Sequence, residues 1–306
     1  QVNEEEQSLI DEFGAELAVI RGRLDVLEND LDGIEAGVFS STTKLSGRTT
    51  FVMGAADEPG SEATTFLYDT AISLDSSFTG EDVLTNRIRV GNFAGPFANN
   101  KSLGGADVAL ETNNGTTADA LTIDRSFYQF PVGDDFTATI GAKVRQDDML
   151  AVWPSAYPSD SVLDIMTYAG ANSAYNLAVG AGAGVSYAKD NIAASINFVS
   201  SDSTDASSGV LTSEGSDDFT AQLAWLGDGF TLATAYTVSD GGCNTEDGDG
   251  TCSTAEKGED FSAWGISGVY EIDNDSQWIP TSISAGIGWK TPDTEDDANN
   301  VEDETT

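Results

Sequence analysis

From residue 41 onward, apolar and polar residues alternate with a period of two in eleven separate stretches: 42–55, 64–75, 83–93, 120–130, 134–146, 175–188, 191–201, 217–226, 229–239, 260–272 and 278–290. Alternate side chains of a strand point to opposite faces, so each stretch reads as a strand with one oily face and one wet face. Most run 10 to 14 residues, whereas strands of globular proteins usually have about 5 to 6. In "YNLAVGAGAGVSY" (175–187) one face is apolar with a tyrosine at each end, and the other is small or polar. Phe219, Ala221, Leu223 and Trp225 form one such apolar row; Ile279, Ile283, Ala285, Ile287 and Trp289 form another. Each strand needs an oily neighbour on one side only.

The connections decide what that neighbour is. "KDN" (189–191), "GDG" (227–229), "DNDSQ" (273–277), "PVGDD" (131–135) and "SSFTGED" (76–82) are short, while 94–119, 147–174, 202–216, 240–259 and 291–306 are long. Short and long connections alternate through the whole series. Transmembrane β-barrels sort their loops this way, with short periplasmic turns and long extracellular loops; a soluble sandwich has no reason to. Tyr175 and Tyr187 are 12 residues apart, about 40 Å of extended chain, which at the usual tilt spans an apolar band of about 25 Å with its aromatic girdles. The expected fold is an all-β transmembrane antiparallel barrel, 41–306, with Tyr175, Tyr187, Trp225 and Trp289 in the girdles.

Residues 3–40 follow another period. Ile10, Phe13, Leu17, Ile20, Leu24, Leu27, Leu31, Ile34 and Val38 are spaced 3, 4, 3, 4 without a slip, the a/d seam of a coiled coil. Leucine at a, with mostly Ile or Leu at d, leans toward three or more strands. Gly22 and Gly33 weaken an isolated helix by about 1 kcal/mol each, so the helix needs partners. An amphipathic helix packed on its own domain is the alternative, but it normally uses a wider stripe.

Composition excludes several functions. The chain has 13 basic and 52 acidic residues and a formal charge of −39, which argues against nucleic acid. With no His and two Cys it has no Ser-His-Asp triad and no His or Cys cluster for zinc. No enzyme motif, cofactor or metal is expected. The string "CNTEDGDGTC" lacks the regular spacing of a calcium loop and reads as a solvated acidic loop. Its Cys243 and Cys252, in an exported loop, are expected to form a disulfide.

A heptad helix "EFGAELAVIRGRLDVLENDL" runs into "STTKLSGRTTFVMGA", followed by "NRIRVGNFAG", "FYQFPVGDDFTATIGAKV" and "GAGAGVSYAKDNIAASINFVSSD". In these segments the chain resembles the cyanobacterial outer-membrane porins with surface-layer-homology domains, of the carbohydrate-selective or iron-uptake porin family. The resemblance covers essentially everything after about residue 8. It implies a sixteen-stranded barrel in a homotrimer, with the coiled coil, cored by Phe13, Leu17, Ile20, Leu24, Leu27 and Leu31, crossing the periplasm. It also implies an N-terminal domain, outside this sequence, that binds peptidoglycan or its linked polysaccharide. Such barrels close on a strand ending in an aromatic residue; this chain ends "DTEDDANNVEDETT", so further strands are expected beyond the eleven.

Alternation also assigns the basic residues. Arg87 and Arg89 fall opposite Leu84, Ile88 and Val90; Lys143 and Arg145 fall opposite Ala142 and Val144; Arg48 is inward by the weaker pattern of the first strand. Charges facing lipid are costly, so these five are expected to line a pore, where they set an anion-attracting field or are merely solvated. In general porins the loop in the place of 147–174 folds into the lumen and narrows it. By that analogy Asp147, Asp148, Asp160 and Asp164 face the basic wall. The expected function is passive diffusion of small hydrophilic solutes and inorganic ions across the outer membrane. The alternatives are a structural tether between outer membrane and peptidoglycan, and a secreted coiled-coil adhesin.

Overall fold

The computed structural model describes residues 42–55, 63–92, 119–157, 164–175, 178–206, 208–212, 215–241, 260–272 and 281–293. The chain divides into two units, Gln1–Leu45 and Ser46–Thr306. The heptad seam from Ile10 to Val38, Asp160, Cys243 and Cys252 lie outside the described residues, as does the side chain of Asp164.

Eleven strands form one antiparallel sheet in strict chain order. They are β1 (Thr43–Gly54), β2 (Thr65–Ser76), β3 (Val83–Gly91), β4 (Thr122–Val132), β5 (Phe136–Arg145), β6 (Val179–Lys189), β7 (Ile192–Ser200), β8 (Ser216–Leu226), β9 (Phe230–Gly241), β10 (Phe261–Glu271) and β11 (Ser282–Pro292). Each strand pairs with its sequence neighbours, so the short turns lie at one end of the sheet and the long connections at the other. β1 and β11 are its two edges, so the described strands make an open sheet rather than a closed barrel. No described helix is long and apolar enough to cross a membrane.

The two faces differ in chemistry. One exposes large apolar side chains on strand after strand: Phe51, Phe66, Ile140, Ile196, Leu223 and Ile266. Aromatic residues gather on it in two rows. Tyr187 with Phe136, and Trp225 with Phe230, lie toward the short turns, with ring centroids 5.0 and 6.1 Å apart. Phe198 with Phe219, and Tyr236 with Trp264, lie toward the long connections at 4.8 and 4.4 Å. Trp289 extends the second row as the register partner of Trp264. From Phe219 to Trp225 along β8, the rows are separated by about 20 Å of strand.

The opposite, polar face is enclosed along β7–β10. Ser195, Asn197, Thr220, Gln222, Thr237 and Ser267 are buried there. The cover is the β5–β6 connection: a 3-10 turn (Gln146–Met149), α1 (Asp164–Thr167) and α2 (Asn172–Tyr175). Tyr175 therefore has no place in a girdle. The strand begins at Val179, and Tyr175 closes a helical turn, its N–H donating to Ala171 O at 3.2 Å. Its ring is completely buried with Tyr168, Ala171, Ala235 and Ala263.

The pairing shifts at Arg87/Ile88, at Ser126/Phe127 and between Gly141 and Val144. Such bulges change which face a residue meets. Val144, expected on the oily side, is fully buried with Phe127, Met149 and Val199 on the polar face. Lys143 pairs opposite Ser126, the β4 neighbour of the buried Phe127, and so falls on the other face from Phe127. It does not belong with the inward bases.

Candidate functional site: a paired arginine wall and its insert

Charge is concentrated where β2–β5 meet the insert. On β3, Arg89 reaches across to β2 and grips Asp69 bidentately, with Nε–Oδ1 at 2.8 Å and Nη2–Oδ2 at 2.5 Å. Arg87 bonds Asp124 of β4. Arg125, the next residue, donates from Nη1 to Asp124 Oδ1 at 3.0 Å and from Nε to Asp148 Oδ2 at 2.5 Å. Arg145, at the end of β5, grips Asp147 with two bonds of 2.6 Å, and the Tyr168 hydroxyl donates to the same carboxylate at 2.8 Å.

Four arginines thus meet four aspartates, and the wall they build is neutral. Arg89, Arg125, Asp69 and Asp147 are buried. An isolated charge in such surroundings would cost several kcal/mol, which pairing and bidentate hydrogen bonds offset.

Of the residues expected to line a pore, Arg87, Arg89 and Arg145 come together here. Arg48 lies opposite the Phe51 and Met53 side of β1 and is solvent-exposed. Asp147 and Asp148 do not stand across a gap from the arginines; they touch them. Alternation misses Arg125 because Arg87 and Ile88 pair with Arg125 and Ile123, leaving Asp124 as the extra residue of a bulge that turns Arg125 inward. It also misses the anions Asp69 and Asp124. The signal that could find them is an acidic residue inside a membrane-length strand, as in "FLYDTAIS" and "TIDRSF".

The rest of the insert is seated by polar and small residues. Gln146 Nε2 donates to Thr220 Oγ1 at 2.7 Å, and Ala151 N donates to Ser195 Oγ at 3.2 Å. Thr237 Oγ1 donates to Ala174 O at 2.7 Å. Gly265, Gly286 and Gly288 leave the room that residues 169–171 occupy; a Cβ on Gly286 would collide with Ala169 O, and one on Gly288 would come 2.7 Å from Ala171 Cα. Trp153 packs on Tyr168 at 5.4 Å, while Tyr157 and Met166 remain exposed.

At the short-turn end Asp82 organises the β2–β3 turn. It accepts from Ser77 Oγ, Phe78 N, Thr79 N, Thr79 Oγ1 and Tyr128 OH at distances of 2.6 to 3.0 Å. Hydrogen bonds from Thr79 and Tyr128 hold its carboxyl well below the usual range.

No family model matches the chain. An uncharacterized protein of Nostoc sp. is 43% identical over 135 residues, a match covering 42% of this chain and 24% of that protein. An uncharacterized protein of Synechocystis sp. is 26% identical over 242 residues, covering 75% of this chain and 44% of that protein. The chain therefore spans less than half the length of either relative. Among solved structures, a triple mutant of Rhodopseudomonas blastica porin shares 14% identity with a TM-score of 0.42, covering 81% of this chain and 73% of that one. A second engineered variant of the same porin has the same values.

Proposed function

We propose that the sheet is the wall of an outer-membrane β-barrel channel for passive diffusion of small hydrophilic solutes and inorganic ions. The observation that carries this reading is the division of the sheet: an apolar face with two aromatic rows, and a polar face holding charged pairs and an inserted segment. A sheet that met water on both sides would not expose Phe51, Ile196 and Ile266 together. In a barrel the apolar face meets lipid, the aromatic rows sit at its interfaces and the polar face surrounds water. Tyr187, Trp225 and Trp289 then belong to the girdles, and the insert narrows the lumen.

The heptad seam extends the proposal. Residues 3–40 form a periplasmic coiled-coil stalk of a homotrimer, tethered through a preceding domain to peptidoglycan or its linked polysaccharide. Sugars, iron and simple salts are the candidate solutes. The reading is tested by brominated-lipid quenching of full-length protein carrying single tryptophans. Trp225, Trp264 and Trp289 are expected to be quenched, and Trp153 in the insert is not. Protein that stays soluble without detergent, with all four unquenched, would point instead to the secreted adhesin.

A further inference from the structure

Three buried aspartates described above have their charge met: arginines grip Asp69 and Asp147, and Asp82 collects the donors of its turn. Asp217, near the start of β8, is also buried, yet its Oδ1 is sealed from water with no hydrogen-bond partner. Its register partner on β7, Ser200, is completely buried, and the Ser200 Oγ is likewise unpartnered. On its other side Asp217 pairs with Asp240 of β9, which is exposed.

The main chain fixes this group in place. Ser201 N–H donates to Ser216 O at 2.9 Å, and Ser216 N–H donates to Asp202 Oδ2 at 3.0 Å, which ties the end of β7 to the start of β8. Ser200, Asp217 and Asp240 lie two residues beyond Phe198, Phe219 and Val238, on the same face as those side chains. The group therefore sits about 7 Å of strand past the aromatic row at the long-connection end. A buried carboxylate without a partner is costly, and like charges directly opposite on neighbouring strands repel. Every donor the group offers is an oxygen, and two of its three side chains are carboxylates, the chemistry of a hard divalent cation.

We propose that Asp217, Ser200 and Asp240 form a Ca²⁺ or Mg²⁺ site that fastens β7, β8 and β9 together at this end of the sheet. Asp217 supplies the buried charge, Ser200 a hydroxyl oxygen, and Asp240 the second carboxylate at the open side. No three carboxylates converge among the described residues, so water completes the coordination, as both ions allow.

The test uses the full chain, stripped with chelator, in a phosphate-free detergent and in high sodium chloride, which screens loosely held counterions. The probes are CaCl₂ and MgCl₂. On addition, hydrogen exchange at the Ser201 and Ser216 amides is expected to slow. Equilibrium dialysis is expected to register one more tightly bound ion per chain than Asp217→Asn holds. Ser200→Ala should bind more weakly, while Asp190→Asn, which removes the same charge at a short turn, should match the unmodified chain. The site is overturned if neither ion slows those amides in the unmodified chain, or if Asp217→Asn keeps the full response. Should Asp217→Asn fail to fold, Ser200→Ala decides, and binding equal to that of the unmodified chain overturns the site. None of these readouts depends on conductance, so they stand apart from the channel reading.

Discussion

Gln222 holds the backbone of Val152 from both sides: its Oε1 accepts the Val152 N–H at 3.0 Å and its Nε2 donates to the Val152 carbonyl at 2.8 Å. A side chain of β8 thus pairs with the insert as a neighbouring strand would. Gln222→Leu leaves both backbone groups unpaired, at about 1–3 kcal/mol for each unsatisfied group. The expected outcome is a lower denaturation midpoint and faster proteolysis within 146–157, with the β-sheet circular dichroism retained below the transition.

Gly288 tests the other end of the seat. A Cβ there meets the Ala171 backbone rather than a yielding side-chain tip, so Gly288→Val overpacks the site by about 1–3 kcal/mol. Hydrogen exchange should quicken at Ala171, Ala174 and Tyr175 before it changes in β2–β5. Uniform destabilisation of all strands would contradict a locally seated insert.

Much of this fold is legible in the sequence, and the misses share a cause. All eleven alternating stretches hold strands, because period-two patterning follows directly from a sheet with one oily face. Alternation misplaces Tyr175 because the pattern continues past the strand's true start at Val179 into a helical turn. It misplaces Val144 and Lys143, and misses Arg125, because bulges break the parity on which it depends. Pairing is harder still to read: Arg89 and Asp69 are 20 residues apart, and only the β2–β3 register brings them together. Patterning finds Arg87, Arg89 and Arg145 on the polar face, but not the aspartates that pair with them.

Asp82 gives a pH dependence of known sign. Its carboxyl is held below the usual range by the donors of its turn, so its contribution is fully present above the unfolded value of about 4 and disappears as pH falls from there toward the folded value. The amides of Phe78 and Thr79, which donate to it, should lose hydrogen-exchange protection in acid ahead of the β2–β3 ladder. In Asp82→Asn that acid-dependent component should be missing.

Arg87 and Asp124 are a bonded pair, each only partly exposed. In a conducting channel, Arg87→Gln should shift the reversal potential toward cations, and Asp124→Asn should shift it toward anions by a similar amount. A bare arginine filter would predict a large first shift and almost no second. Reversal potentials in a salt gradient at low ionic strength, where screening is weakest, distinguish the two.

If the polar face surrounds an unplugged, water-filled passage while the apolar face lies in lipid, the protein conducts. Single-channel recording of the full-length protein in a planar bilayer measures this most directly. Stepwise insertion events are predicted, each followed by a persistent conductance. Protein that inserts in the same orientation and leaves the bilayer electrically silent would contradict the channel, and would leave the anchoring of the outer membrane as the role of the chain.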